Sequence, residues 1–488
     1  MAKERAKKYF QQGMEHAHRG KWQEAANAFE RALKVDEGYG PALINRGYAL
    51  YVLQRRSEAE TCLRRGIALE PTAVSAHNNL GLVLLDEKRP QEAAASFRQA
   101  LTLKSDCAEV LNNLALALEA QNDDALAEEL FRRAVQQDPG YYEAWYNLGR
   151  ILKGENRLTE AADCYRQSLR IHPRYAPAAF GQATLQLMQG QFEQGWKTYD
   201  QLRVQPGRRF AALPRWQGES LQGRRILLFQ EQGFGDTLQF VRYSRLVAAA
   251  AEKTALWVQE PLLRLLNHSV APLPVWSDEE TEMTEKFDFA CPLPSLPCIF
   301  RTTLENIPGR NPYIMAPLPV LEHWRQRCQQ WPAGLRVGVV WAGNPRHHND
   351  YNRSVPLAAL EEWFNIPGVC WVSLQKGLAA DAMAGQTDTL IDCSDELNDF
   401  AETAGVIANL DLVITVDSAV GHLAGAMGKP VWMMIPFAPD WRWLLERQDS
   451  PWYPSMRLFR QQSRGDWPGV AANIKEALQQ QASQRENG

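Results

Sequence analysis

One segment near the carboxyl end of the chain combines the residue types that a phosphate-binding site needs. The segment LDLVITVDSAVGHLAGAMGKPVW predicts a buried strand ending at Val416, followed by a helix that Asp417 and Ser418 cap. The first turn of such a helix offers free N–H groups and the positive end of the helix dipole, which suit a diphosphate. His422 follows Ser418 by four residues, on the same helix face, and could donate a hydrogen bond to a phosphate or sugar oxygen. The alternative is a plain helix cap with His422 in the core.

Strands and helices alternate around this segment. Apolar runs predict buried strands at ILLFQ, TALWVQ, FDFAC, LRVGVVWA, GVCWVSLQ, TLIDC, DLVITV and VWMMI. Helical patterns lie between them, an order typical of a parallel sheet covered on both faces. The runs form two series, separated near residues 310–334. The sequence therefore predicts two Rossmann-like halves facing a cleft, with a glycine turn after ILLFQ that ends in Asp236.

The chain before these strands repeats with a period of 34 residues. A small residue recurs at Gly13, Gly47, Gly81, Ala115, Gly149 and Ala183. A large residue recurs at Phe29, Leu63, Phe97, Phe131, Tyr165 and Tyr199. Small side chains let two helices approach closely, and large ones fill the gap to the next repeat. Residues 6–203 resemble a tetratricopeptide array, an α-solenoid here with five full repeats and a sixth that fades.

Asparagines recur on the first helices of the repeats, at Asn45, Asn79, Asn113 and Asn147. The tetratricopeptide resemblance implies a right-handed superhelix whose concave groove holds peptides or partner proteins. An asparagine amide both donates and accepts hydrogen bonds, so such a ladder can clamp a peptide backbone. The amides could equally tie neighbouring helices together or face water, and the sequence leaves both interpretations open.

Residues 225–480 resemble family 9 glycosyltransferases, the lipopolysaccharide heptosyltransferase-like group with the GT-B fold. Gly235-Asp236 matches the family's G-D in its first strand–helix turn, and residues 417–426 match D-[TS]-x-x-x-H-L-x-x-A. The sequence departs from the family at Ala419, where glycine is usual, and in TLQFVRY, which lacks an expected proline. The lipopolysaccharide enzymes also lack the repeats, which indicates an acceptor other than lipid A core.

The resemblance implies a role for each matched residue. Asp236 matches the carboxylate taken as general base on the acceptor hydroxyl, with helix capping as its alternative; Gly233 and Gly235 flank it on the acceptor side. Arg353 stands where the family commonly has lysine, and a guanidinium can grip a diphosphate with two hydrogen bonds. The residues implied in binding the donor phosphates and nucleotide are Gly343, Asn344, Arg353, Gln375, Lys376, Asp417, Ser418, Ala419 and His422.

The implied reaction is inverting transfer of a sugar from a nucleotide-sugar donor. Negative charge would develop on the leaving diphosphate, where helix amides, Ser418 and Arg353 could stabilise it. No Asp-x-Asp signature stands where a metal would be needed, so neither a metal nor another cofactor is expected. The predicted acceptor is a protein or peptide recruited by the repeats. The alternative is a non-catalytic tetratricopeptide scaffold with a degenerate transferase domain.

The composition sets outer limits. The chain has 488 residues with a formal net charge of -4 and no long basic run, so nucleic acid is not an expected partner. The eight cysteines form no C-x-x-C pair and are expected to be free thiols. The start, MAKERAKKYFQQG, lacks the apolar core of a secretory signal, and no apolar stretch is long enough to predict a membrane span. A cytoplasmic location is expected.

The predicted domains follow from these patterns. The repeat array covers residues 1–203, and a linker rich in proline and glycine covers 204–223. The acceptor-side half of the transferase covers 224–320 and the donor-side half 321–488. A late aromatic cluster, Trp441, Trp443, Trp452 and Tyr453, is interpreted as packing between the halves, with stacking on a sugar or base as the alternative.

Overall fold

The computed structural model describes residues 2–202, 210, 212–277, 286–309, 312–346, 349–381 and 389–486. Of the predicted linker, residues 204–209 and 211 lie outside the described residues. The chain divides into two compact units. The first contains residues 1–153 and 157–178, and the second contains residues 154–156 and 179–488.

The first twelve helices of the described chain form the repeats. Their bounds are α1 (Ala2–His18), α2 (Trp22–Val35), α3 (Gly40–Val52), α4 (Arg56–Leu69), α5 (Val74–Asp86), α6 (Pro90–Leu103), α7 (Ala108–Glu119), α8 (Asp124–Gln137), α9 (Tyr142–Gly154), α10 (Leu158–Ile171), α11 (Ala176–Met188) and α12 (Phe192–Gln201). Neighbouring helices pack in succession from α1 to α8. The helical repeats predicted from the 34-residue period are confirmed.

Close helix contacts explain the small residue in each repeat. A Cβ atom on Gly81 would lie 2.5 Å from Cε1 of Phe97, a distance that atoms in contact do not reach. The same relation joins Gly13 to Phe29, Gly47 to Leu63, and Gly149 to Tyr165. The large residues of the period are all at most 1% exposed: Phe29, Leu63, Phe97, Phe131, Tyr165 and Tyr199. The sequence period therefore reflects one steric requirement, the close contact between a small and a large residue, which recurs along the repeats.

Gly81→Ala is expected to lower the free energy of unfolding by about 1–3 kcal/mol, because the added methyl group must displace Phe97 in a packed core. Urea denaturation followed by circular dichroism measures the change. The matched control is Gly154→Ala, where nothing lies within 4 Å of the added Cβ and the change should stay within about 0.5 kcal/mol or be stabilising. Equal effects in the two variants would contradict the packing argument.

The second unit contains two parallel sheets. The first has the strand order β3-β2-β1-β4, with β1 (Arg225–Phe229), β2 (Lys253–Val258), β3 (Val275–Ser277) and β4 (Phe289–Pro292). The second has the order β10-β9-β8-β5-β6-β7, with β5 (Leu335–Val340), β6 (Val369–Ser373), β7 (Leu390–Asp392), β8 (Leu412–Val416), β9 (Val431–Ile435) and β10 (Met456–Arg460). We call the parts built on these sheets the N-terminal half and the C-terminal half.

Helices connect these strands. They are α13 (Phe234–Phe240), α14 (Ser244–Ala250), α15 (Leu263–Ser269), α16 (Leu296–Ile299), α17 (Leu318–Arg327), α18 (Asp350–Arg353), α19 (Leu378–Asp381), α20 (Phe400–Ala408), α21 (Ala419–Ala426) and α22 (Trp467–Glu486). The central strands β1 and β8 are almost wholly buried, as strands covered on both faces must be. The predicted pair of Rossmann-like halves, the GT-B arrangement, is confirmed.

Parallel strands bring their carboxyl ends to one edge of a sheet. The segments after β1, β5, β6 and β8 begin at that edge, and they contain every residue that the sequence predicts for the transferase site. All eight cysteines carry free thiols. Among the described helices, none combines the length and apolar character that crossing a membrane requires.

Candidate functional site

Asp236 lies in the first turn of α13, directly after the loop that leaves β1. Its Oδ2 accepts a hydrogen bond from the backbone N–H of Gly233 at 3.1 Å, which is the contact of a helix-capping carboxylate. Its other oxygen, Oδ1, is paired with the guanidinium of Arg442. The side chain is 18% exposed. Asp236 therefore caps its own helix and also forms an ion pair with a residue of the C-terminal half.

Arg442 lies in the segment after β9 and joins the two halves. Its Nη1 donates to Oδ1 of Asp440 at 2.8 Å, and its Nε donates to Oε1 of Gln239 at 2.6 Å. The guanidinium carbon lies 4.3 Å from the ring centre of Trp441. Burial disfavours the charged form, yet Asp440 and Asp236 outweigh it and raise the pKa of Arg442. The site thus contains a permanent buried cation between two carboxylates.

Ser418 caps α21. Its Oγ accepts from the backbone N–H of Gly421 at 3.4 Å and bonds Oγ1 of Thr415 at 2.9 Å. Ser418 is in extended backbone geometry, with φ of -143° and ψ of 164°, which is usual for a residue that precedes a helix. Ala419 is the first residue of the helix. The predicted cap is present, so the first turn of α21 faces the loop side of the sheet.

His422 is buried, with 5% of its surface exposed. Its Nδ1 lies 2.9 Å from the hydroxyl of Tyr453, and its ring packs against Trp443 with centres 5.4 Å apart. The ring also excludes any side chain at Gly235, where a Cβ would lie 2.8 Å from Cδ2 of His422. Burial first, and then the nearby Arg442, lowers the pKa of His422 to about 3. The imidazole is neutral and acts through hydrogen bonds.

Asp417 lies beside His422, with Oδ1 3.9 Å from Nε2 of the imidazole. Because that imidazole is neutral, the contact is not an ion pair. Burial, followed by the charge of Asp440, raises the pKa of Asp417 from its ordinary 3.8 to about 6. Arg442 and Arg353 act against this rise without cancelling it. The carboxyl of Asp417 therefore changes its charge close to neutral pH.

Asp417→Asn is expected to stabilise the protein above pH 6 and not near pH 4. A carboxyl whose pKa rises on folding releases its proton at a higher pH in the folded state than in the unfolded state. Stability is therefore lost as pH increases from 3.8 to about 6 and stays lower above that range. At about 1.4 kcal/mol per pH unit, the full loss is about 3 kcal/mol, which asparagine avoids.

Urea denaturation at pH 4 and pH 8 measures this difference. The control is Asp449→Asn, because the pKa of Asp449 is lowered by its hydrogen bonds with Arg447, so its removal should cost a little stability at pH 8. If Asp417→Asn changed the free energy of unfolding equally at both pH values, the raised pKa of Asp417 would be contradicted.

Arg353 lies at the end of α18 and is turned toward α21. Its Nη1 donates to the backbone oxygen of Asp417 at 3.2 Å, and its Nε donates to Oδ1 of Asp350 at 3.1 Å. Gly343 is tied to the same loop, because its N–H donates to Oγ of Ser354 at 3.0 Å. A Cβ on Gly343 would lie 2.6 Å from Nε of Arg353, so a side chain there would displace the Asp350–Arg353 pair. The structure places Arg353 at the first turn of α21.

Asn344 turns back on its own loop, where Oδ1 accepts from the N–H of Arg346 at 2.9 Å. Gln375 is only 4% exposed and holds the start of the loop after β5 through hydrogen bonds. Its Oε1 accepts from the N–H groups of Trp341 and Ala342 at 3.1 and 3.0 Å. Lys376 donates to the backbone oxygen of Leu397. These three residues shape the donor-side loops, and direct contact with a nucleotide stays a prediction.

A cavity of about 520 Å³ lies between residues of the two halves. Its wall is formed by Glu260, Pro261, Leu263, Arg264, Asn267, Asn398 and Asp399. Arg264 donates to both oxygens of Asp399 at 2.8 and 2.9 Å, which links the halves on this side. The adjacent Gln259 donates to the backbone oxygen of Gln232 at 2.8 Å. This bond ties the residue before the cavity wall to the loop after β1.

The asparagines of the repeats bond to neighbouring helices. Nδ2 of Asn113 donates to Oδ1 of Asn78 at 3.0 Å, and Nδ2 of Asn147 donates to Oδ1 of Asn112 at 2.9 Å. Asn45 donates to the backbone oxygen of Pro41 within its own helix, and Asn79 is half-buried. Asn113 and Asn147 are 6% and 8% exposed. The second interpretation, tied helices, describes these two contacts, and peptide binding stays a prediction.

The structure brings Asp236, Gly235, Asp417, Ser418, His422 and Arg353 together across the two halves. Sequence reasoning missed Arg442 and Asp440, which lie in the run PDWRW after the last predicted strands. It attended only to the tryptophans of that run. An arginine flanked by two tryptophans and preceded by an aspartate was the available signal, since buried guanidinium groups need both a stacking surface and an acid.

Comparisons with known proteins agree with this division of the chain. Models of the tetratricopeptide repeat match residues 6–39, 44–106, 89–142, 113–176 and 146–206. The model of glycosyltransferase family 9 (heptosyltransferase) matches residues 392–433, which include β8, the Asp417–Ser418 cap and His422. Residues 6–206 thus consist of tetratricopeptide repeats, and the region after them contains a family 9 match that indicates sugar transfer.

Among individual proteins, Protein FlbA of Caulobacter vibrioides is 27% identical over 329 residues, which are 61% of this chain and 54% of FlbA. The chain thus spans about half the length of this relative. Among solved structures, pilF of Pseudomonas aeruginosa is 20% identical, with a TM-score of 0.37, over 41% of this chain and 90% of that one. YrrB, described as a tetratricopeptide protein with an unusual peptide-binding site, is 22% identical, with a TM-score of 0.31, over 38% of this chain and 97% of that one.

Proposed function

We propose that this protein is a cytoplasmic, inverting and metal-independent glycosyltransferase that moves a sugar from a nucleotide-sugar donor to a protein or peptide recruited by the repeats. One observation carries the proposal: Asp236 of one half faces a cation, a capped helix and a neutral histidine of the other half, all at the carboxyl ends of the strands. Ligands of open parallel sheets bind at this edge.

The donor side rests on Arg353 and the first turn of α21. Arg353 reaches the backbone of Asp417, so its charge is held beside the N–H groups at the start of α21. A diphosphate placed there would meet both a guanidinium and a helix N-terminus. The same groups would stabilise the negative charge that grows on the diphosphate as the sugar leaves.

The acceptor side rests on Asp236. Its Oδ1 is paired with Arg442 of the C-terminal half, so the proposed base lies where the two halves meet. The hydrogen bond from the N–H of Gly233 orients this carboxylate within the first turn of α13. The cavity lined by Glu260 and Asp399 lies between the same two halves and offers space for an acceptor.

Arg353→Ala is expected to weaken binding of the donor nucleotide by about 10- to 100-fold in Kd, because a charge-assisted contact with a phosphate contributes about 1.5–3 kcal/mol. Thermal unfolding with UDP, GDP, ADP, dTDP and CMP first identifies the nucleotide that raises Tm in the wild-type protein. The same nucleotide is then titrated against the variant.

The matched control is Arg325→Ala, because Arg325 is exposed and contacts only Glu322 in its own helix. It should leave the nucleotide shift intact. A shift that survives Arg353→Ala would remove Arg353 from the donor site. No shift with any nucleotide would favour the non-catalytic scaffold instead.

A further inference from the structure

The last repeat helix, α12, packs against both halves of the second unit. Trp196 is 1% exposed, and its Nε1 donates to the backbone oxygen of Thr302 at 3.1 Å. Its ring meets Trp441 of the C-terminal half edge-on, with centres 5.1 Å apart. It meets Phe240, at the end of α13, in the same way at 6.4 Å. This tryptophan therefore fixes α12 against the helix of Asp236 and the segment of Arg442.

Tyr199, one turn further along α12, reaches the site loops themselves. Its hydroxyl donates to Oε1 of Gln232 at 3.0 Å, and Gln232 immediately precedes the turn of Gly233 to Asp236. Its ring lies edge-on to Trp441, with centres 6.4 Å apart, and Trp441 immediately precedes Arg442. Tyr199 is 1% exposed. One side chain thus touches the neighbours of both members of the ion pair.

The end of α12 is fixed as well. Arg215 is paired with Asp200, the residue after Tyr199, and it also donates to Oγ of Ser295 at 3.0 Å. The two side chains of the Asp200–Arg215 pair are 25% and 13% exposed. Tyr199 is therefore held from the side of the N-terminal half, and it has little freedom to follow the loops if they move.

We propose that Tyr199 is a positioning residue that sets the distance between Asp236 and Arg442, so that the last tetratricopeptide helix forms part of the transferase site. The role in catalysis rests on the proposed function, whereas the positioning itself does not. Tyr199 acts through Gln232 and Trp441, the neighbours of the Asp236 turn and of Arg442. Its hydroxyl fixes the loop after β1, and its ring fixes the segment after β9.

The test is hydrogen exchange on the full chain, comparing wild type with Tyr199→Phe. Phenylalanine keeps the ring packing and removes the hydroxyl that bonds Gln232, so the fold should be retained. Backbone amides of residues 232–236 are expected to exchange about tenfold faster. Tyr165→Phe is the matched control, because Tyr165 occupies the same repeat position one period earlier and is equally buried. It should leave that exchange unchanged.

A second variant, Gln232→Ala, removes the acceptor of the same bond. Combined with Tyr199→Phe it should accelerate exchange by less than the product of the two single effects, because both changes break the same hydrogen bond. Unchanged exchange in Tyr199→Phe, or fully additive effects in the double variant, would overturn the positioning role.

The catalytic part is measured with the nucleotide sugar whose nucleotide raises Tm. Tyr199→Phe should lower kcat about tenfold and leave the Kd of the nucleotide unchanged, since the donor contacts lie at Arg353 and α21. Faster exchange with an unchanged kcat would overturn the link to catalysis. If the wild-type protein transfers no sugar, the proposed function fails, and the exchange experiment still decides whether Tyr199 holds the loop.

Discussion

Asp236→Asn is expected to lower kcat about 10²- to 10⁴-fold and to leave nucleotide binding unchanged. Asparagine has nearly the same shape and can still accept the Gly233 hydrogen bond, but it cannot take a proton from an acceptor hydroxyl. The measurement is release of nucleoside diphosphate from the nucleotide sugar selected by the thermal shift. Calorimetric titration of the nucleotide alone shows that the donor site is intact.

Asp236→Asn removes both a negative charge beside Arg442 and the proposed general base, and these two effects must be distinguished. Asp440→Asn provides the comparison, because it removes the other carboxylate of Arg442 and leaves Asp236 in place. Its loss of kcat should be much smaller than that of Asp236→Asn. Full activity of Asp236→Asn would assign that residue to helix capping and leave the base to be found elsewhere.

Arg442→Met should lower the free energy of unfolding by about 3–5 kcal/mol, which is the usual cost of removing one member of a buried ion pair. Asp236 and Asp440 would both lose their partner, and the contact between the halves through Gln239 would be lost as well. Methionine keeps most of the volume, so the effect reports charge rather than a cavity. Urea denaturation at pH 7.5 measures it.

Arg447→Met is the control for this second change. Arg447 lies five residues along the same segment and forms an ion pair with Asp449, whose side chain is 62% exposed. An exposed pair contributes less than about 1 kcal/mol, so this variant should be nearly neutral. Adding Asp236→Asn to Arg442→Met should recover part of the lost stability, because it removes one uncompensated charge. Equal losses in Arg442→Met and Arg447→Met would contradict the buried pair.

The steric and hydrophobic parts of the fold could be predicted from sequence because they recur locally. Gly81 and Phe97 are 16 residues apart, and the same pair reappears in other repeats, so the period reveals the contact. Eight of the ten described strands were predicted from apolar runs for a similar reason, since burial on both faces leaves a continuous signature, whereas the edge strands β3 and β10 were missed. The capped turn before His422 also follows from short-range residue order.

The contacts that complete the site could not be predicted in this way. Asp236 and Arg442 are 206 residues apart, and nothing local relates the two. The asparagines show a subtler limit: the sequence period links residues 34 apart, but the bonds join Asn78 to Asn113 and Asn112 to Asn147, which are 35 apart. Periodicity selects equivalent positions, whereas packing between successive helices selects the partner.

The sixth repeat fades in sequence because its surroundings change. In the first repeats the second helix packs against the next repeat, and the pattern of small and large residues follows from that. Helix α12 instead packs against Thr302, Phe240 and Trp441 of the second unit. Trp196 therefore packs against different elements from the equivalent residues of earlier repeats. The residue type at this position no longer needs to match the repeat pattern.

The buried asparagines form one directed relay of hydrogen bonds. Asn147 donates to Asn112, Asn112 to Asn113, Asn113 to Asn78, and Asn78 to the carboxylate of Glu109. Each amide donates in turn to the next residue and the series ends on an anion, so each bond polarises the next. Pulling one helix out would leave unsatisfied amides on both sides of the break. Under mechanical load, helices α5, α7 and α9 should therefore yield together, in one step of force, rather than peel away repeat by repeat.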